Sequence, residues 1–184
     1  MDLIFTKKGD SGKSLIKDKY ISKSNLIFKI LGKTDEFICY LGFFKHLVRN
    51  KKLKEILEEL QEEIFILQAK LALICLLKKN AEHLPNIKIA LKNWEDFIES
   101  LNIKSPGKFI IPAKNKDSAI CHILRAKIRI IEQDLVKLKI KKEYKEEFLP
   151  YVNRLSSLFY ALSLKLSNQK EKVISYKIKK IRWN

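Results

Sequence analysis

The chain of 184 residues carries 38 Lys and Arg against 21 Asp and Glu, a formal net charge of +17, and is 46% hydrophobic with 5 Gly and 4 Pro. Such a length supports one domain with a substantial core and not two, and the scarcity of Gly and Pro excludes a linker-rich or low-complexity chain. The basic excess would ordinarily point to nucleic acid or an anionic membrane, but its lysines run the whole length among Ile and Asn, as an A+T-rich coding sequence would write them; no nucleic-acid and no membrane partner is expected.

Cys39, Cys75 and Cys121 stand singly in apolar helical patterns, which predicts free thiols and a reducing cytoplasm. His46, His83 and His122 form no pair at ligand spacing with Cys or carboxylates, so no protein-held metal is expected. Residues 1–8 lack the apolar core of a signal peptide, and the longest apolar run, 71–77, is far too short to span a bilayer.

In chain order, a short extended lead ends in Lys7-Lys8-Gly9-Asp10-Ser11-Gly12-Lys13-Ser14. Two glycines three apart let backbone N–H groups turn towards one point, while Thr6, the lysines and Ser14 add hydroxyls and charge: a phosphate cradle, or an ordinary surface turn. Its Gly-Lys-Ser ending is like that of a Walker A loop, but the first Gly of that motif falls on Lys7, and no strand-helix alternation follows. Thr34 is placed to cap a first helix with Asp35 and Glu36 in its opening turn and Phe37, Ile38, Leu41, Phe44 and Leu47 at helical period. A second helix is expected over 53–79. A third, after Pro85-Asn86, carries Ile87, Ala90, Leu91, Trp94, Phe97, Ile98 and Leu101.

Ser105-Pro106-Gly107 then breaks the pattern before Lys108-Phe109-Ile110-Ile111-Pro112, an apolar run that plugs the bundle end or lines a pocket. The helix expected over 114–138 is the one around which the chain is organised. Arg125, Arg129 and Glu132, at i, i+4 and i+7, share one stripe beside the apolar Ile120, Leu124, Ile128, Ile131 and Leu135. Fixed arginines beside a packed face need acceptors, and Asp35 or a ligand phosphate would serve; a solvated charged face is the plainer reading. Residues 139–147 read as a charged connection, with Pro150 in the first turn of a fifth helix bearing Asn153 and Arg154 near its start. The whole predicts an all-α, five-helix up-and-down bundle with a short extended N-terminal segment, one domain over 1–184, its bundle at 34–168 and a basic tail at 169–184.

Taken together, three separated blocks resemble the PduO-type ATP:cob(I)alamin adenosyltransferase family. They are Thr6-Lys7-Lys8-Gly9-Asp10-Ser11-Gly12 with Gly32-Lys33-Thr34-Asp35-Glu36; Phe109-Ile110-Ile111-Pro112 with His122, Arg125, Arg129 and Glu132; and Tyr151-Val152-Asn153-Arg154-Leu155-Ser156. The resemblance implies a homotrimer with sites between neighbouring subunits, where the cobalt(I) of cobalamin attacks the 5′ carbon of ATP and releases triphosphate. It places Thr6, Lys7, Gly9, Asp10, Gly12, Ser14 and Lys23, within an ATP-binding segment over 1–33, on the triphosphate with Mg²⁺. It also places Arg129, Glu132 and Asn153 on ATP. Asp35 and Arg125 match an interface salt bridge beside the corrin, and Phe109 matches the aromatic that fills the lower face of cobalamin and excludes an axial ligand. An adenosylcobalamin-dependent enzyme or a cobalamin reductase is a further partner of this kind. Departures from the family pattern are Lys8, the shortened Lys13-Ser14, Ala113 and Lys114 in place of paired glycines, Ile130 and Ser157. Two other readings stand beside the enzyme: a binding relative acting as cofactor chaperone or sensor, and, ranked well behind, a basic helical module using 137–142 and 172–182 on nucleic acid or acidic partners.

Overall fold

The computed structural model describes residue 5 and residues 7–174. The chain is an all-α bundle of five helices, with two small antiparallel ribbons at its margins. The helices are α1 (Leu26–Leu47), α2 (Lys51–Leu71, continued by a π-helical stretch Ala72–Leu77), α3 (Ile87–Ser100), α4 (Lys116–Lys137) and α5 (Lys142–Leu166). Helix α1 packs between α2 and α4, and α5 packs between α4 and α3. Their apolar stripes meet in one core built around Phe37, Phe44, Leu60, Ile128, Tyr151 and Phe159, all fully buried. Phe37 meets Phe159 edge to face across α1 and α5, with ring centroids 5.8 Å apart.

Three boundaries differ from the sequence reading. Helix α1 starts at Leu26, capped by Asn25, whose side chain accepts from the Ile27 N–H at 3.1 Å. Thr34 is therefore no cap but a fully buried residue of the helix interior, its hydroxyl donating to the Leu31 carbonyl at 2.8 Å. Burial of Ile27 and Ile30 offsets the roughly 0.5–1 kcal/mol that Gly32 costs inside a helix. Helix α2 does not run on as α to Lys79. It widens into the π turn and stops where Lys78 takes φ 53°.

Helix α5 begins at Lys142, so residues 142–147 are helical and Pro150 sits inside the helix, not in its first turn. The early turns hold because Glu147 and Phe148 are buried and Tyr144 stacks on Phe148. Pro150 and Glu146 are both exposed, so the carbonyl that Pro150 leaves without an intrahelical donor has water within reach.

The N-terminal ribbon pairs β1 (Lys13–Ile16) with β2 (Lys19–Ser22) around a two-residue turn whose first residue, Lys17, has φ 51°. The second pairs β3 (Ile110–Ile111) with β4 (Lys172–Val173), so the segment after α5 folds back onto the loop between α3 and α4. Among the described residues no helix is long and apolar enough to cross a membrane, and Cys39, Cys75 and Cys121 are free thiols. The basic tail lies mostly outside the described residues.

Candidate active site

The N-terminal loop closes on itself through its backbone. The Asp10 N–H donates to the Lys7 carbonyl at 3.3 Å and the Gly12 N–H to the Gly9 carbonyl at 3.2 Å, while Lys7 (φ 57°) and Gly12 (φ 73°) take left-handed conformations. Lys23, at the end of the ribbon, ties the turn down twice. Its N–H donates to the Gly12 carbonyl and its ammonium to the Gly9 carbonyl, both at 2.9 Å. A Cβ on Gly9 would lie 2.7 Å from that ammonium, so a side chain there would displace it. Ser14 is half-buried on β1, whereas Lys7, Asp10 and Lys23 are exposed. Thr6 lies outside the described residues.

On the other side of the molecule's sequence, α4 and α5 hold the charged stripe. Glu132 accepts from the Asn153 amide at 2.8 Å, joining the two helices. Arg129, one turn before Glu132, is exposed and forms no ion pair among the described residues. Arg125 lies over the Tyr160 ring at 5.3 Å, a cation–π contact that orients the guanidinium without neutralising it. Asp35 does not meet Arg125 within the chain. Its carboxylate accepts from the Gln68 amide at 2.6 Å, and the neighbouring Glu36 pairs with Lys127 of α4, at 2.7 Å.

A cavity of about 840 Å³ opens at the start of α4, with Lys108, Phe109, Pro112, His122, Arg125 and Tyr160 in its wall. Phe109 is 73% exposed, too open for a bundle plug, and stands as an aromatic surface at the cavity's edge. Burial holds the His122 imidazole below the usual histidine value, against the pull of the Glu171 carboxylate that faces it.

A family model described as cobalamin adenosyltransferase matches residues 4–166. The chain belongs to the cobalamin adenosyltransferase family. A corrinoid adenosyltransferase from Citrobacter freundii is 28% identical to it over 170 residues, 87% of this chain and 92% of that protein. One from Bos taurus is 29% identical over 169 residues, covering 87% of this chain and 69% of the other. The fold matches the solved structure of a phenylalanine-to-histidine variant of a PduO-type ATP:corrinoid adenosyltransferase from Lactobacillus reuteri, complexed with cobalamin and ATP. That match has a TM-score of 0.80 at 22% identity, over 95% of this chain and 97% of that one.

In this adenosyltransferase-family chain the expected site residues among those described thus fall in four places: the N-terminal turn, the α4–α5 stripe, the cavity that shares Arg125 with the stripe, and Asp35 on α1. No hydrogen bond or ion pair among the described residues joins the first to the others. Sequence reading missed Gln68, which holds Asp35, Tyr160, which carries Arg125, and Glu171, which faces His122. None of the three had a local signature; each meets its partner from 33 or more positions away along the chain.

Proposed function

We propose that this chain transfers the 5′-deoxyadenosyl group of ATP to cob(I)alamin, giving adenosylcobalamin and triphosphate, at sites completed between the subunits of a homotrimer. The observation that carries the reading is the open cavity edged by the exposed Phe109 and walled by Arg125, on the same helix as Arg129, which has no ion pair among the described residues. On adjacent turns of one helix, Arg125 faces a cavity that takes a large ligand against Phe109, and Arg129 offers a cation to anionic oxygens.

In the reaction the cobalt(I) lone pair forms the cobalt–carbon bond as the bond from the 5′ carbon to the triphosphate oxygen breaks, and the electron pair leaves with triphosphate. The nucleophile belongs to the substrate, so the protein need only bind, orient and stabilise charge. Arg129, exposed and without an ion pair among the described residues, is placed to meet the charge building on the leaving triphosphate. Glu132 and Asn153 hold each other and present the rest of their polar atoms to the nucleotide.

The N-terminal turn, with the exposed Lys7 and with Lys23 held on the Gly9 carbonyl, takes the triphosphate. Among the described residues no three His, Cys, Asp or Glu side chains gather as a metal cluster. Asp10 and Ser14 offer oxygens near the turn, a donor set that fits Mg²⁺ arriving on the triphosphate, where it would neutralise charge. Phe109 packs beneath the corrin and keeps an axial ligand away.

The test is anaerobic turnover with ATP, Mg²⁺ and chemically reduced cobalamin, followed in the visible spectrum. Arg129→Ala is expected to lower kcat by about 100-fold or more, as loss of a donor aimed at developing charge does elsewhere. Wild-type protein that binds ATP or cobalamin saturably but never forms the cobalt–carbon bond would replace this reading with a cofactor carrier.

A further inference from the structure

The segment 105–115, which carries Phe109, hangs between α3 and α4 with no hydrogen bond of its own to the bundle core. Apart from contacts within itself and to the first turn of α4, every hydrogen bond it makes among the described residues ends on 166–174, at or just past the end of α5. The Ile174 N–H donates to the Phe109 carbonyl at 2.9 Å, β3 pairs with β4, and the Asn115 amide donates to the Leu166 carbonyl at 2.8 Å. The Lys114 N–H donates to a Glu171 carboxylate oxygen at 3.1 Å. Glu171 is the one of these anchors that reaches inwards. Its side chain is 2% exposed, and its second oxygen lies 3.5 Å from His122 Nε2, in the cavity wall. His122 in turn stands edge to face with Tyr160, the ring that carries Arg125.

A buried carboxylate is costly unless its partners are fixed; here one oxygen accepts from the backbone just before α4, while the other faces the His122 imidazole and has no hydrogen-bond partner among the described residues. Glu171 also sits beside the N-terminus of α4, where the helix dipole favours negative charge. Of these residues Glu171, β4 and Ile174 lie beyond residue 166, where the family match ends.

We infer that Glu171 is a positioning residue for the corrin half of the site: it ties the loop bearing Phe109 to the cavity wall and so fixes where that aromatic stands. The inference rests on the reading of Phe109 as the aromatic beneath the corrin. Loosening the anchor misplaces Phe109 by some fraction of its loop's freedom, leaves the bundle intact, and does not touch the N-terminal turn or Arg129.

The test uses the full chain in anaerobic turnover with ATP and reduced cobalamin varied separately. Glu171→Ala is expected to raise KM for cobalamin by about tenfold, the scale on which misplacing a binding group acts. KM for ATP should stay within about twofold of wild type, and hydrogen exchange at 109–111 should quicken. Glu171→Gln, which keeps an acceptor for the Lys114 N–H, should restore most of the cobalamin affinity. The decisive comparison is Phe109→Ala with and without Glu171→Ala. If Glu171 acts through Phe109, adding the second change makes the variant no worse.

Fully additive effects, equal losses towards ATP and cobalamin, or an unchanged Glu171→Ala would overturn the inference while leaving the role of Phe109 standing. A Phe109→Ala protein with wild-type constants would instead remove that role, and the anchoring function with it. Ile174→Pro, which deletes the donor to the Phe109 carbonyl, is expected to show the same cobalamin-specific defect and replaces Glu171→Ala if that variant fails to fold.

Discussion

Asp134 shows how this lysine-rich chain spends charge at single residues. Its carboxylate, almost wholly buried on α4, receives Lys33 at 2.6 Å, Lys29 at 3.2 Å and Lys137 at 3.2 Å. The Lys33 hydrogen bond, against the cost of burial, holds the carboxyl down to about 2, from an ordinary 3.8. A carboxyl depressed in the folded state stabilises the fold while it is ionised, so the contribution is present above about pH 4 and is lost as pH falls through about 2. Asp134→Asn is therefore expected to lower the thermal midpoint at neutral pH and to flatten its fall across that acid window. Parallel midpoint-against-pH curves for the two proteins would rule the assignment out. The same contacts explain why Lys33, inside the Gly32-Lys33-Thr34-Asp35-Glu36 block, is committed to packing, whereas Arg129 on the helix of Asp134 has no ion pair among the described residues.

Among the elements, α2, α3 and α5 are joined at one buried point. The Lys70 ammonium pairs with Glu147, and the same carboxylate accepts from the Ile87 N–H at 3.0 Å, at the start of α3. Glu147→Ala would leave a buried ammonium and an N-terminal N–H without their acceptor, at a cost of about 3–5 kcal/mol. Converting both partners, Lys70→Met with Glu147→Leu, should recover most of that in a denaturant titration; a double variant as unstable as the single one would contradict it.

This joint also explains what was legible beforehand. Apolar spacing placed α2, α3 and α4, and motif order named Arg125, Arg129, Glu132 and Asn153, because both are local patterns. Thr34-Asp35-Glu36 imitates a helix start and Pro150 imitates a first helical position. The facts that overrule them are Gln68 reaching Thr34 and Lys70 reaching Glu147, contacts 34 and 77 residues apart. The β3–β4 pairing escaped notice for the same reason: two-residue strands have no period to read.

For the whole molecule, the division of the site carries the strongest consequence. The N-terminal turn binds back onto Lys23, the Arg129 stripe lies on α4 and α5, the cavity lies between these helices and the loop bearing Phe109, and Asp35 is held by Gln68 instead of Arg125. Exposed apolar residues flank this region on α1 and α4, among them Phe43, Ile123 and Ile130, a face that a second copy would cover. In a cyclic trimer each site would take the turn from one subunit and the stripe from its neighbour. Lys23→Ala and Arg129→Ala should then each be nearly inactive alone. Co-expressed in equal amounts they should regain activity, since by random assortment roughly a quarter of the interfaces pair an intact turn with an intact stripe. Were both halves drawn from one chain, every site in the mixture would keep one defect, and the mixed preparation would be as inactive as its parents.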